Sequence, residues 1–155
     1  MNGKLATALI AATALAALSA CGTRTFPTNR DYIVEMINDG AAVKILDYRG
    51  GSTDVRIPSR IYGRPVTAIG SSAFARRNLT SVSIPNTVTY IGDAAFWLNR
   101  LSDVSIPRNV SHIGYSAFGR NHIDFVSIPS SVTYIGARAF DEHVRKTGDV
   151  IFTRH

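Results

Sequence analysis

Four histidines are the first side chains to test for chemistry, and they lie at His112, His122, His143 and His155. Their spacing fits none of the short patterns by which histidine and cysteine hold zinc. The chain also offers no Ser-His-Asp set, no glycine-rich phosphate loop and no pair of acids beside an apolar stretch. We therefore expect the protein not to be an enzyme, with no catalytic residue, no metal, no cofactor and no small-molecule substrate.

The single cysteine, Cys21, is the other residue that could carry chemistry. Residues 18–21 read Leu-Ser-Ala-Cys, which resembles a bacterial lipobox, where a signal peptidase cuts before the cysteine and the thiol is joined to diacylglycerol. Residues 1–4 supply one positive charge, and residues 5–18 form an Ala/Leu-rich segment that is too short to span a bilayer and typical of an export signal. The alternative is an ordinary secretory signal with Cys21 present by chance.

The lipobox interpretation makes residues 1–20 a signal peptide and residues 21–30 a lipidated cysteine followed by a polar tether. Gly22, and not aspartate, follows the cysteine, which in the best-known sorting scheme favours the outer membrane. An exported protein with one cysteine cannot form an intramolecular disulfide, so its fold must be held by packing.

A phrase of 22 residues occurs three times in full, at residues 66–87, 88–109 and 110–131, and starts again at Val132. Each copy opens on Val-Thr/Ser-x-Ile-Gly, continues through Ala-Phe and contains Val-Ser-Ile-Pro. The apolar positions repeat as columns, and the two columns expected in the core are Phe74, Phe96, Phe118 and Phe140, and Ile69, Ile91, Ile113 and Ile135. Such a period predicts a solenoid, because one unit cannot bury its apolar face alone.

The Val-Ser-Ile-Pro segment has the alternation of a short strand. Val82 and Ile84 alternate with two serines, which predicts one buried face, and Pro85 cannot donate to a strand ladder, so the strand ends there. We expect the phenylalanine column to form a continuous spine with its rings stacked from coil to coil. The recurring asparagines, Asn99 and Asn121, are expected to point inward and to satisfy backbone groups at a turn. In the first repeat this column holds Arg77, or Asn78 if the alignment is shifted by one residue.

These repeats resemble a known family. The segment Ile69 to Phe74, Ile-Gly-x-x-Ala-Phe, followed by Leu79 to Pro85, Leu-Thr-Ser-Val-Ser-Ile-Pro, is similar to the BspA-like, or treponemal, leucine-rich repeat, over about Asp31 to Val150. The resemblance implies a leucine-rich-repeat solenoid of short strands joined by irregular or short helical turns. It also implies a bacterial cell-surface protein that takes part in adhesion, and it implies no catalytic residues.

The ends of the repeat array are expected to be atypical, because a terminal coil meets water on one face. Residues 31–65 are interpreted as an N-terminal cap hairpin and a first degenerate coil, with a helix over residues 31–37 as the alternative to the hairpin's first strand. Residues 66–131 hold the three full repeats. Residues 132–155 hold a fourth partial repeat and a charged C-terminal cap, with a last strand expected at residues 150–152. The whole would contain about four to five coils.

The columns that vary are the candidates for binding, since core columns cannot vary freely. The position after Val-Thr/Ser holds Tyr90, His112 and Tyr134, which would stack one coil apart into a row with apolar bodies and polar tips. The position before Val-Ser-Ile-Pro holds Asp103 and Phe125, and an outward phenylalanine has no folding rationale. We predict that these five residues form a binding face, although the row could also be stacked for structural reasons alone.

The formal net charge of +6 is compatible with several acidic partners. The arginines are scattered and not interleaved with aromatic residues, so we expect no nucleic-acid partner. The leading hypothesis is an exported, lipid-anchored adhesin, in the outer membrane or on the cell surface, that binds a protein of a host or neighbouring cell. The alternative is a periplasm-facing structural envelope lipoprotein that holds a partner or a cell-wall component.

Overall fold

The computed structural model describes residues 29–148. Its elements follow one another along the chain as a 3-10 turn at Asn29–Asp31 and eleven strands: β1 Tyr32–Ile37, β2 Ala42–Tyr48, β3 Asp54–Arg56, β4 Arg60–Ile61, β5 Arg64–Ile69, β6 Ser81–Ser83, β7 Tyr90–Ile91, β8 His112–Ile113, β9 Phe125–Ser127, β10 Tyr134–Ile135 and β11 Arg145–Thr147. The proposed signal peptide, Cys21 and the strand expected at residues 150–152 all lie outside the described residues.

The coils stack through one long sheet that runs along the solenoid. Its strand order is β1-β2-β5-β7-β8-β10, with β4 paired beside β5. The β1–β2 pair is the antiparallel hairpin predicted for the N-terminal cap, so the alternative of a helix over residues 31–37 is wrong. From β2 onward the successive strands of this order pair in parallel, as expected when each coil repeats the one before it. The fold is a β-solenoid of about five turns.

The Val-Ser-Ile-Pro segments form strands in two copies only. β6 pairs in parallel with β3, and β9 pairs in parallel with β11, so this side of the solenoid carries two separate two-stranded sheets. In the copy between them Val104 and Ile106 are buried, yet the backbone is not a strand. The side chains of this copy therefore alternate between buried and exposed as predicted, although its backbone pairs with no neighbouring strand.

The core of the solenoid is a stack of aromatic rings. Consecutive rings of Phe74, Phe96, Phe118 and Phe140 lie 5.1, 5.1 and 5.2 Å apart between centroids, with interplanar angles of 17° or less. Tyr48 extends the stack towards the N-terminal hairpin at 5.3 Å from Phe74. All five rings are buried, so the predicted phenylalanine spine is confirmed.

The isoleucine column is buried in three coils and only half-buried in the fourth. Ile69, Ile91 and Ile113 have no exposed surface. Ile135 packs against the core from β10 but stays partly accessible, because β10 is the last strand of the long sheet among the described residues and no further coil covers it there. Ile135, expected in the core with the rest of its column, therefore lies at the edge of the core.

The asparagines make the inward hydrogen bonds that the sequence predicts. Asn99 Oδ1 accepts the backbone N–H groups of Arg77 and Leu79, both at 3.0 Å, and Asn99 Nδ2 donates to the carbonyls of Phe74 and Phe96 at 2.8 and 2.9 Å. Asn121 repeats the arrangement one coil later with Leu101, Phe96 and Phe118. Each amide thus joins two neighbouring coils at the turn that follows the phenylalanine.

The recurring glycine is required by close approach between coils. A Cβ on Gly92 would lie 2.8 Å from the backbone nitrogen of Ser71, and one on Gly70 would lie 2.7 Å from the carbonyl oxygen of Ile45. Left-handed backbone conformations occur at two other repeat positions, the first in four coils and the second in three. The residues at the first position are Ser72, Ala94, Ser116 and Arg138, and those at the second are Arg76, Leu98 and Arg120.

Candidate functional site

The varying column of the long sheet forms a row of stacked rings, here called the ring ladder: Tyr90, His112 and Tyr134. The Tyr90 and His112 ring centroids are 4.5 Å apart with an interplanar angle of 13°, and those of His112 and Tyr134 are 4.4 Å apart at 9°. Parallel strands in register position the rings, since Tyr90 pairs with His112 and His112 pairs with Tyr134. The stacking predicted from the repeat is present.

The ring ladder is accessible from solvent along its edge. Tyr90 is 39% exposed and Tyr134 is 52% exposed, while His112 between them is half-buried. Because neighbouring rings cover one another's faces, the edges carrying the phenol oxygens and imidazole nitrogens are the parts available to a partner. The ladder therefore presents hydrogen-bonding groups on an apolar support.

A second row of side chains holds the ring ladder in place. In each coil the residue before the ladder position donates its hydroxyl to the backbone carbonyl of the equivalent residue one coil earlier. Thr89 donates to Thr67 at 3.2 Å, Ser111 to Thr89 at 3.2 Å and Thr133 to Ser111 at 3.1 Å. These bonds add to the backbone pairing, so the rings stand on a support that is already ordered before any partner binds.

The row of rings ends on its N-terminal side, where the preceding positions hold a small residue and a lysine in an ion pair. The equivalent of Tyr90 one coil earlier is Ala68, which is buried, and the next position in the row is Lys44. The Lys44 ammonium lies 3.6 Å from the carboxylate of Glu35 on the hairpin. The aromatic part of the row is thus limited to three coils.

The electrostatic environment of His112 favours its neutral form. Burial between the two tyrosines lowers the pKa of His112, and the nearby Asp93 carboxylate acts in the opposite direction without cancelling the effect. At neutral pH the imidazole is therefore uncharged and offers one donor and one acceptor. His112 thus adds a neutral polar group to the two phenol hydroxyls of the ladder.

Sequence reasoning missed two residues beside the ladder, Tyr115 and Asp93. Tyr115 follows the glycine of the third repeat and is 48% exposed, and its backbone N–H donates to Asp93 Oδ1 at 2.8 Å. The signal was available, because the other copies hold Ser71, Asp93 and Ala137 at this position. An aromatic residue that appears once in an otherwise small or polar outward column is a candidate for contact with a partner.

Phe125 and Asp103 do not join the ring ladder. Phe125 is 46% exposed, as predicted, but it lies on β9, which pairs with β11 in a separate two-stranded sheet. Asp103 is exposed on the segment of the middle copy that is not a strand. The long sheet therefore holds only three of the five residues predicted to share one binding face.

Neither a metal centre nor a membrane span is found in residues 29–148. No group of three or more histidine, cysteine, aspartate or glutamate side chains in this part of the chain could hold a metal ion. Within the same residues no helix is long and apolar enough to cross a membrane.

Three solved bacterial proteins share the fold. A leucine-rich repeat protein from Bacteroides capillosus is 28% identical, with a TM-score of 0.63 over 76% of this chain and 95% of that one. A leucine rich cell surface protein from Faecalibacterium prausnitzii is 27% identical, with a TM-score of 0.60 over 76% of this chain and 41% of that one. The Treponema pallidum leucine-rich repeat protein is 23% identical, with a TM-score of 0.60 over 74% of this chain.

This chain spans 65% of the length of the treponemal protein and less than half of the Faecalibacterium protein. A search of curated proteins finds no match. The model of the BspA type leucine rich repeat region matches residues 52–146 in six copies, which is the part of the chain that forms the stacked coils. The chain belongs to the BspA-type leucine-rich repeat family.

Proposed function

We propose that this protein is an exported, lipid-anchored binding protein whose ring ladder contacts a protein on a host or neighbouring cell. The observation that carries the proposal is the exposed stack of Tyr90, His112 and Tyr134, with centroids 4.4 and 4.5 Å apart on a hydrogen-bonded support. A leucine-rich repeat protein generally mediates protein interactions. Export and lipidation rest on the lipobox-like residues 18–21.

The ladder is suited to protein binding because its order exists before a partner arrives. Immobilising a rotamer-rich side chain in an interface costs about 0.5–1.5 kcal/mol, and rings already held by neighbours lose less freedom on binding. Tyrosine also supplies a large contact area with only two rotatable side-chain bonds. Tyr115 and Asp93, which occupy one position in successive coils and are joined by a hydrogen bond, add an exposed aromatic ring and one negative charge to the candidate contacts.

The small size of the ladder predicts weak binding by a single domain. Three coils at a strand spacing of about 4.8 Å extend only about 10 Å along the solenoid, whereas a stable interface covers roughly 800 Å² on each partner. Several copies displayed together on one membrane would compensate, because linked binding events raise the effective concentration. The lipid anchor proposed at Cys21 would provide such display.

The decisive experiment compares binding of intact cells that display the chain to a panel of immobilised extracellular-matrix proteins. Saturable binding to one panel member should fall by at least about tenfold in the Tyr90→Ser/Tyr134→Ser variant, since two central aromatic contacts are lost. Tyr62→Ser is the matched control, because Tyr62 is 55% exposed at the β4–β5 turn and outside the ladder. Equal losses in the two variants would refute the ladder as the site.

Location is tested by adding protease to intact and to permeabilised cells. A surface protein is cleaved in both samples, whereas a protein that faces the periplasm is protected until the outer membrane is opened. If the chain is protected from protease in intact cells and binds no member of the panel, the adhesin hypothesis is rejected in favour of the structural envelope role. Substitution Cys21→Ser should release the chain from the membrane fraction, and retention there would contradict lipidation.

A further inference from the structure

The chain's only tryptophan, Trp97, lies between two arginines of neighbouring coils. The guanidinium carbon of Arg76, from the coil before, is 4.8 Å from the centroid of the indole ring, and that of Arg120, from the coil after, is 5.7 Å away. Small residues make room for the ring, since the equivalent positions hold Ala75 and Gly119. A Cβ on Gly119 would meet the Trp97 side chain at 3.4 Å.

The same backbone position carries both arginines. Arg76, Leu98 and Arg120 are the second left-handed residue of three successive coils, with φ of 58°, 55° and 57°. They therefore form one column in which a cation, an exposed apolar side chain and a second cation follow one another. Two coil spacings of about 4.8 Å place the backbones of Arg76 and Arg120 roughly 10 Å apart, and their guanidinium groups approach Trp97 from the coils on either side.

These two guanidinium groups contact the Trp97 ring, but among the described residues neither forms an ion pair. By contrast Arg77, which follows Arg76 in sequence, and Arg49 both pair with Asp47, at 2.7 and 3.2 Å. A guanidinium that lies over an aromatic ring keeps its N–H donors free at its edge, where they fit an oxyanion in a two-point contact. Contact with the indole also limits the freedom that each arginine would lose on binding.

We propose that Arg76, Leu98 and Arg120, supported by Trp97, bind a linear acidic polysaccharide in which charged and uncharged sugars alternate. The two cations are too far apart to share one carboxylate or sulfate, so the ligand must carry at least two anionic groups. Leu98 between them is 39% exposed and apolar, which suits the carbon face of an uncharged sugar. The length of one pyranose residue is comparable to one coil spacing, so acidic sugars at every second position would meet both arginines.

An acidic peptide fits this surface less well. Recognition of an extended peptide commonly uses free backbone groups at a sheet edge. Here the backbone N–H of Arg76 donates to the carbonyl of Trp97 at 2.9 Å, and that of Leu98 donates to Gly119 at 3.0 Å. The surface thus recognises its ligand through side chains, and a polysaccharide bound by its acidic groups needs no backbone partner.

The C-terminal side sets the limit of the proposed site. The position after Arg120 in the column is Glu142, which is exposed, and the carboxylate of Asp141 accepts the backbone N–H of Arg120 at 3.0 Å. Negative charge therefore follows the second cation and would repel a further anionic sugar. A segment of about three sugars, acidic at both ends, is the shortest ligand that would satisfy the column.

The test uses the full-length chain and the fluorescence of Trp97, which reports directly on the proposed site because no second tryptophan exists. Hyaluronan oligosaccharides, with glucuronate at every second sugar, are titrated at fixed salt and should change the fluorescence saturably. Arg76→Gln/Arg120→Gln should weaken binding by at least about tenfold, because two charge-assisted contacts are lost. Arg76→Lys/Arg120→Lys retains the charge without the planar fork and should lose a smaller factor.

The matched control is Arg56→Gln/Arg108→Gln, which removes the same charge from two exposed arginines elsewhere. An equal loss in the control, or binding that leaves the fluorescence unchanged, would overturn the site. Oligogalacturonate carries a charge on every sugar. If it binds as tightly as hyaluronan, the proposed alternation of charged and uncharged sugars is wrong. If polyglutamate binds more tightly than hyaluronan, the site is one for acidic peptides. If the Gln variant does not fold, the Lys variant decides. Tyr90→Ser/Tyr134→Ser should leave this binding intact, so the two proposals fail separately.

Discussion

The phenylalanine spine and the ring ladder are the same construction in two environments. Both place one ring per coil with nearly parallel planes, at 5.1–5.2 Å inside and at 4.4–4.5 Å outside. The spine is buried, whereas two of the three ladder rings are more than a third exposed. The periodicity of the chain therefore sets the geometry of stacking, and burial decides how much each stack contributes to stability.

The largest expected effect is the removal of a central spine ring. Phe96→Ala should lower the free energy of unfolding by about 3–5 kcal/mol, because it deletes a fully buried ring between two others and leaves a cavity. Urea denaturation followed by circular dichroism measures the change. Phe125→Ala removes an exposed phenylalanine and should cost about 0.5 kcal/mol or less. Similar losses in the two variants would show that burial does not separate the spine from the surface.

The second-largest expected loss of stability comes from removing Asn99, which hydrogen-bonds the turns after the phenylalanines. Asn99→Ala should cost about 3 kcal/mol, because the backbone groups of Arg77, Leu79 and Phe74 lose their partner and each unsatisfied buried group is costly. The Phe96 carbonyl keeps the bond from Asn121. Thermal and urea unfolding measure the loss. The control Asn109→Ala removes one exposed bond to Asn86 and should change stability little. A tolerated Asn99→Ala would mean that water replaces the amide.

Loss of a ladder ring should have a much smaller effect on stability. Tyr134→Ala should reduce the free energy of unfolding by about 0.5–1 kcal/mol, the usual contribution of one aromatic pair, because the ring is half-exposed and stacks on one side only. Tyr62→Ala, which removes an exposed tyrosine outside the ladder, is the control. A loss above about 2 kcal/mol would make the ladder a structural element and weaken the case for a binding face.

The smallest expected effect is a pH dependence of stability that comes from His112 in the ladder. The folded chain lowers the pKa of His112 below its ordinary value of 6.5 through burial, so between the two values the unfolded chain binds more protons. The contribution of His112 to stability is therefore complete above pH 6.5 and is lost as the pH falls through the folded value. The difference between the unfolding free energies at pH 7.5 and pH 5.5 should be smaller in His112→Gln than in the parent chain. An equal difference in the two chains would contradict the proposed contribution of His112.

The repeat made much of this molecule predictable. Residues that recur in a column must share a place in every coil, and this fixed the spine, the inward Asn99 and Asn121 and the stacking of Tyr90 on His112. A column also shows its own exceptions, and Tyr115 could have been found in this way. What a column does not show is its direction relative to other columns, so Phe125 was wrongly grouped with the ladder.

Contacts between different columns were beyond such reasoning. Trp97 is one position out of step with Arg76 and Arg120, and only the left-handed turn brings the three side chains together. The half-buried state of Ile135 was equally hidden, because it depends on where the sheet ends in space and not on the identity of the residue. A periodic sequence predicts the features that all coils share. The contacts between different columns of neighbouring coils are found only in the structure.

The constant offset of 22 residues between the ladder hydroxyls and the carbonyls that accept them has a consequence for how such a surface can change. A duplication of the repeat at residues 88–109 or 110–131 in the gene would insert a coil that brings its own ring, its own hydroxyl and its own asparagine clamp, and every older residue would keep its neighbours. Deletion of one repeat shortens the surface just as cleanly. The length of the ring ladder is thus inherited as a copy number, which lets recombination lengthen or shorten this surface in single steps without redesign of the interior.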